Sequence, residues 1–165
     1  MAMSIKYKFI TDLNQVEIMR QIYNNNLDAL STKEKLKYKT SAEQINWWNN
    51  LDHTKVMSWL YYDENDKPIG FLLLTDRGRF NTPMFALFKE EWGKGYGARI
   101  IQDYILQSTK PLAGSQLQSN KAICHLNKKF GWMIISSENG VDYLFRPEYY
   151  TYNDICVYHG IKNDL

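Results

Sequence analysis

Trp92-Gly93-Lys94-Gly95-Tyr96-Gly97 lies between an apolar run, Pro83 to Phe88, and a stretch, Ala98 to Leu106, in which Ile101, Tyr104 and Ile105 recur at helical spacing. Glycines at 93, 95 and 97 let the chain turn tightly and bring successive N–H groups toward one point, at the positive end of the helix that follows. The segment therefore reads as strand, anion-binding turn, helix. A dinucleotide fingerprint would be Gly-x-Gly-x-x-Gly near a first strand, with an acidic residue about twenty positions on, and this turn lies mid-chain with a different spacing. A kinase-type phosphate loop needs Gly-Lys-Ser or Gly-Lys-Thr, which is absent.

Working upstream, Ile5 to Ile10 reads as a strand, and Leu13 to Tyr23 carries Leu13, Val16, Met19 and Ile22 on one helical stripe. Asn24-Asn25-Asn26 ends that helix. Ser41-Ala42-Glu43-Gln44 has the shape of a capping box, with Ser41 and Gln44 as reciprocal caps of a helix running to Leu51. Met57 to Tyr62 and Ile69 to Thr75 flank the polar turn Asp63 to Pro68 and predict an antiparallel hairpin. Downstream come a strand from Leu112 to Gln116, a helix from Ser119 to Phe130, and strands from Trp132 and from Val141. Pro147 to Tyr150 reads as a loop, and Ile155 to Tyr158 as a final strand or the edge of a homodimer. This order predicts an α/β fold, one mixed sheet with helices on both faces.

With 165 residues and 44% hydrophobic content, the chain has the size of one compact domain. Twenty basic and 18 acidic residues give a net charge of +2, too balanced to predict a nucleic-acid or membrane-surface partner. Lys33 to Lys39 is locally basic and reads as a solvated loop. Cys124 and Cys156 lack Cys-x-x-Cys spacing, and the chain opens without the apolar core of a signal peptide. No stretch approaches the roughly 20 apolar residues of a membrane span. A reduced, cytoplasmic protein without a metal is expected.

The turn resembles the first signature of the GNAT N-acetyltransferases: Gln or Arg, two residues, Gly, one residue, Gly or Ala. Trp92 departs from its first position. Asn120-Lys121-Ala122 through Phe130-Gly131-Trp132 is similar to the family's second signature, in which Asn and Ala precede a helix ending in Gly and an aromatic residue. The resemblance covers Ile5 to Arg146 and implies a single GNAT-type domain over 1–165, with a mostly antiparallel sheet of six to seven strands. It implies acetyl-CoA as acyl donor. The strand before the turn would splay from its neighbour, the backbone at Phe85, Ala86 and Leu87 would pair with the pantetheine arm, and N–H groups of Gly93, Lys94, Gly95, Tyr96, Gly97 and Ala98 would hold the pyrophosphate. Trp92, in place of the usual Gln or Arg, would weaken the side-chain part of cofactor binding without abolishing the backbone cradle. Asn120 matches the asparagine that hydrogen-bonds near the pantetheine, and Lys94 or a nearby lysine would meet a ribose phosphate, with a solvated lysine as the alternative.

Where family members often carry a Glu and a general-acid Tyr, this chain has Ser115 and Asn127. At about 100° per residue, Asn120, Cys124 and Asn127 share one face of their helix, with Ala122, Ile123, Leu126 and Phe130 as the apolar stripe packing on the sheet. Asn127 is read as a binding or orienting group, since an amide cannot deliver a proton as a phenol does. Cys124 reads as a packed thiol. Candidates for proton removal are His53, His125, Asp76 and Glu90, with His125 on the far side of the helix from Asn127. The missing base favours an acceptor whose amine has a pKa of about 8 rather than the roughly 10.4 of a lysine. Tyr23, Asn26 and Trp47 lie in the region where the family meets its acceptor; with Asn24, Asn25, Asp28 and Trp48 they suit a sugar ring. Ile45, Trp48 and Leu51 read equally as a core stripe with Trp47 at its edge. Ser41 to Trp48 is loosely similar to a helix of sugar-nucleotide N-acetyltransferases. The expectation is an acetyl-CoA-dependent N-acetyltransferase acting by direct attack of a small-molecule primary amine, an amino sugar or sugar nucleotide. A protein or peptide N-acetyltransferase and a catalytically idle acyl-CoA-binding module stay open.

Overall fold

The central run Phe71-Leu72-Leu73-Leu74 is apolar at every position, which a strand can satisfy only if both faces of its sheet are covered. The computed structural model, which describes residues 4–30 and 36–146, shows that arrangement. Its elements are β1 (Lys6–Phe9), α1 (Leu13–Asn25), α2 (Ser41–Asn50), β2 (Val56–Tyr62), β3 (Pro68–Asp76), β4 (Asn81–Leu87), α3 (Tyr96–Gln107), β5 (Leu112–Leu117), α4 (Lys121–Lys129), β6 (Met133–Glu138) and β7 (Val141–Arg146). The seven strands form one sheet in the order β1-β2-β3-β4-β5-β7-β6. Every neighbouring pair is antiparallel except β4 and β5. The α/β mixed sheet expected from the sequence is present. The proposed loop at Pro147 to Tyr150, the strand or dimer edge at Ile155 to Tyr158, Cys156 and the start of the basic segment lie outside the described residues.

Helices α1 and α2 cover one face, where Val16, Met19 and Ile22 pack on Leu60, Phe71 and Ala86, with Trp47 and Trp48 partly buried at the margin. Helix α3 covers the other with Ile100, Ile101 and Tyr104 against Trp59, Leu72 and Leu74; Ile123, Leu126 and Phe130 bring α4 onto the same cluster. Two members of the expected stripes fall outside the core. Leu13, the first residue of α1, overhangs the sheet and is 52% exposed. Ala122 is exposed at the start of α4 and lines a cleft instead of packing on strands.

The cap of α2 lies one residue earlier than expected. Thr40 has extended backbone and its Oγ1 accepts from Glu43 N at 3.2 Å, while Glu43 Oε2 accepts from Thr40 N at 2.8 Å. Ser41 is already helical, and its hydroxyl donates to Glu17 Oε2 at 3.0 Å, joining α2 to α1. Gln44, the expected reciprocal cap, is buried. Both Ser-x-x-Gln and Thr-x-x-Glu satisfy the capping pattern, and only the backbone at residue 40 chooses between them.

Strands β4 and β5 make a single registered pairing, Asn81 to Leu112, and then diverge. An aromatic wedge occupies the fork: Trp132 Nε1 donates to Tyr104 Oη at 3.1 Å, and the Tyr104 ring stands 6.3 Å from Phe85. The Trp132 ring lies over Gly114 of β5, where a Cβ would stand at ordinary contact distance, 3.8 Å. Pro83 fits a central strand because of the same divergence. Asn81 N bonds Pro111 O, and Phe88 N bonds Ile69 O, so the backbone of odd-numbered β4 residues faces β5. The N–H that Pro83 lacks would point where β5 has already departed. Replacing Trp132 with Ala is expected to destabilise the fold by about 3–5 kcal/mol in urea unfolding, the range for large aromatic truncations in a core.

Candidate functional site

The fork opens into a cleft of about 490 Å³ bounded by β4, β5, the glycine turn and α4. At one end, Gly93 and Gly95 have φ of +78° and +87°, and Gly95 caps α3 with no side-chain hydrogen bond. The N–H groups of the first helical turn have no partner within the helix, and Gly93, Gly95, Gly97 and Ala98 all line the cleft. A Cβ on Gly93 or Gly95 would meet nothing within 4 Å, so glycine is needed there for the left-handed backbone. At Gly97 a Cβ would stand 3.2 Å from Leu126 Cδ1, a tight contact to which the leucine side chain would have to yield. Tyr96 is buried and offers only its backbone.

Lys94 Nζ is held by Glu91 Oε2 at 2.8 Å, and Glu91 Oε1 also receives Lys67 at 2.6 Å. These two ammonium groups hold the buried Glu91 carboxyl below its ordinary value. Lys94 is thus tethered beside the turn.

Along β4, Phe85 and Leu87 direct their peptides into the cleft, whereas Ala86 turns its own to β3. The Leu87 carbonyl accepts from Asn26 Nδ2 at 2.8 Å and from Trp92 Nε1 at 3.4 Å. Trp92 therefore closes the end of β4, and Asn26, expected to face the acceptor, is a buried brace whose amide also donates to Ile22 O. Asn120 caps α4, accepting from Ile123 N at 3.2 Å, and donates to Ala29 O at 3.3 Å. Its amide joins the two walls of the cleft.

Asn127 is buried and belongs to a chain of polar groups not foreseen from the sequence. Asp142 accepts from Gln116 Nε2 at 3.0 Å, Gln118 Nε2 at 2.7 Å and Ser137 Oγ at 2.7 Å. With its nitrogen held by a carboxylate, Gln116 must present Oε1 to Asn127, and Asn127 Nδ2 donates to it at 2.8 Å. An ionised carboxylate only accepts, so it fixes the direction of both amides. This leaves Asn127 Oδ1, which takes no hydrogen bond among the described residues, as the acceptor that Asn127 offers the cleft. Alternation on β5 and β7 would have placed Gln116 and Asp142 in register, but their shared burial needs the β6–β7 hairpin.

The remaining candidates separate. Ser115 and His125 line the cleft; His125 does so although helical spacing sets it away from Asn127. His53 instead contacts Trp48 O at 3.1 Å and meets the Trp48 ring edge-on, Asp76 holds Lys110 at 2.6 Å, and Glu90 holds Lys67 at 2.9 Å, all outside the cleft lining. Tyr23 and Trp47 also lie outside it. They pack against the α1–α2 core and flank Lys39, whose Nζ is 4.3 Å from the Tyr23 ring and 5.4 Å from the Trp47 ring. Burial lowers the Lys39 pKa and raises that of Tyr23. Cys124 donates to Leu117 O at 3.4 Å, and burial raises its pKa, as for a packed thiol. Among the described residues no cluster of His, Cys, Asp or Glu could hold a metal, and no helix is long and apolar enough to cross a membrane.

Neither a family model nor a curated protein matches this sequence. Solved structures do match the fold. Spermidine N-acetyltransferase from Vibrio cholerae, in complex with CoA and spermine, is similar over 88% of this chain and 97% of its own, with 16% identity and a TM-score of 0.70. An N-acetyltransferase from Staphylococcus aureus Mu50 is similar over 86% and 96%, with 17% identity and a TM-score of 0.68. A domain from Methanocaldococcus jannaschii covers 87% and 98%, with 18% identity and a TM-score of 0.71. The chain matches GNAT N-acetyltransferases in structure at low sequence identity, and its fold is GNAT-like.

Burial works to raise the Asp142 pKa, but its three hydrogen bonds prevail and hold it below the ordinary value. A depressed folded-state pKa adds stability above the unfolded value of about 3.9, and this is lost as pH falls through the folded value. Asp142→Asn is expected to cost about 1–3 kcal/mol at neutral pH, because one of the two acceptor oxygens becomes an NH2 donor that faces the Gln116 or Gln118 amide. It should also show a smaller further loss than wild type on acidification below pH ~4; urea midpoints across pH check both.

Proposed function

We propose that the protein is an acetyl-CoA-dependent N-acetyltransferase acting on a primary amine of a small molecule. The observation that carries this reading is the meeting of an unpaired glycine turn at the start of α3 with the fork between two parallel strands. The donor set suits coenzyme A. The N–H groups from Gly93 to Ala98 would hold its pyrophosphate, and the cleft-facing edge of β4 at Phe85 would pair with the pantetheine amides. The narrow cleft, with the apolar side chains Phe85, Ile123 and Leu126 on its walls, suits the arm. Bound acetyl-CoA supplies an activated acyl group as a thioester.

Among the described cleft-lining residues, His125, Arg77 and Tyr104 are the side chains with an ionisable group other than a thiol or terminus. Burial raises the Tyr104 pKa, and its hydroxyl already accepts from Trp132, which leaves His125 as the group able to take a proton. Asn127 Oδ1, fixed as an acceptor, orients the attacking amine by receiving one of its N–H groups. With so little basic assistance, the reaction favours an amine of pKa about 8 over one near 10.4. Amino sugars and their nucleotides meet that condition.

Thiol release from acetyl-CoA across amino sugars, amino acids, polyamines and peptides tests the reading, and turnover of small amines of low basicity is expected. CoA binding with silence across the panel would favour an idle acyl-CoA-binding module, and turnover of peptides alone a peptide acetyltransferase. Gly95→Ala, which places a Cβ on a left-handed residue at a cost of about 1–2 kcal/mol, should weaken CoA binding roughly tenfold by calorimetry while the protein stays folded.

A further inference from the structure

The cleft passes through the sheet. On the α3–α4 side it begins at the glycine turn, and on the α1–α2 side it ends on a wall from the β3–β4 hairpin. Leu73 and Met84, register partners, pack with the α1 cluster. Two residues further along each strand, on the same face, stand the partners Thr75 and Thr82, and Arg77 follows beyond the end of β3. All five line the cleft.

The charge of this wall is one-sided. Among the described residues that line the cleft, none is an aspartate or glutamate, and Arg77 makes no side-chain hydrogen bond or ion pair. The nearest acid in sequence, Asp76, is turned away to Lys110 Nζ at 2.6 Å and Gly78 N at 2.8 Å. Thr82 Oγ1 is buried in the wall without a partner, a cost that a ligand's hydrogen-bonding oxygen would relieve. A polycationic amine would meet an unpaired guanidinium and no carboxylate. An amine bearing an oxyanion would meet a forked donor matched to carboxylate or phosphate geometry.

We infer that the acceptor is an amine that also carries a carboxylate or phosphate group, bound by Arg77 with the hydroxyls of Thr75 and Thr82 beside it, and that polyamines are excluded. The inference rests on the acetyltransferase reading for the amine's fate, but the anion site is testable without turnover. Calorimetry in the presence of CoA would compare glucosamine 6-phosphate with glucosamine, glycine with glycinamide, and spermidine with both pairs, on wild type, Arg77→Gln and Arg77→Lys. At least one anionic member is expected to bind about tenfold or more tightly than its neutral partner. Arg77→Gln should erase that preference, with Arg77→Lys retaining part of it; circular dichroism checks that the exposed substitutions leave the fold intact. Which pair shows the preference separates phosphate from carboxylate. Equal or absent binding within both pairs, tightest binding of spermidine, or a preference untouched in Arg77→Gln would overturn the inference. Thiol release on the same compounds separates the two readings. Anion-dependent binding through Arg77 without acetylation leaves the anion site standing and removes the acetyltransferase; acetylation indifferent to the anion does the reverse.

Discussion

The fork between β4 and β5 is the constraint on which the rest of the molecule depends. A central sheet normally pairs every backbone group with a neighbouring strand, because an unpaired buried amide or carbonyl is costly. Here the two middle strands pair at one register position and then part. Between them stands an aromatic wedge of Trp132, Tyr104 and Phe85. Its consequence is a strand edge in the middle of a sheet, open to a ligand that can hydrogen-bond to it.

Much of the polar chemistry around the cleft serves to keep that opening in shape. Asn26 and Trp92 both donate to the Leu87 carbonyl at the end of β4, and Asn120 links the start of α4 to the segment after α1. Asp142 orients Gln116, and Gln116 orients Asn127. Amides are ambiguous recognition groups because each end of the side chain behaves differently; a buried carboxylate behind them removes the ambiguity. In this cleft the asparagines are braces and fixed acceptors, and the backbone N–H groups that open α3 border it as donors.

Legibility in the sequence followed how local each cause is. The glycine turn was readable because left-handed backbone at Gly93 and Gly95 depends on the absence of a Cβ, a property of those residues alone. The helix α3 and the β2–β3 hairpin were readable from periodicity and turn chemistry. Pro83 carried an unused signal, since a proline in a central strand implies that one edge lacks a partner. The cap of α2 was ambiguous because two overlapping boxes fit the residue types. Tyr23 and Trp47 pack against the α1–α2 core and Asn26 lines the cleft as a buried brace; residue type alone does not separate these placements, because the direction of a side chain is set by packing.

What the sequence determined by itself is the succession of elements, the glycine turn that opens α3 and the class of fold, all governed by backbone preference and by apolar spacing along one segment. What only the tertiary structure decided is which polar groups meet. Gln116 and Asp142 are 26 residues apart, and Asn26 reaches Leu87 across 61. Arg77 lines the cleft while its neighbour Asp76 is turned to Lys110. Such relations depend on how strands diverge and which face each residue takes, and no local pattern contains them.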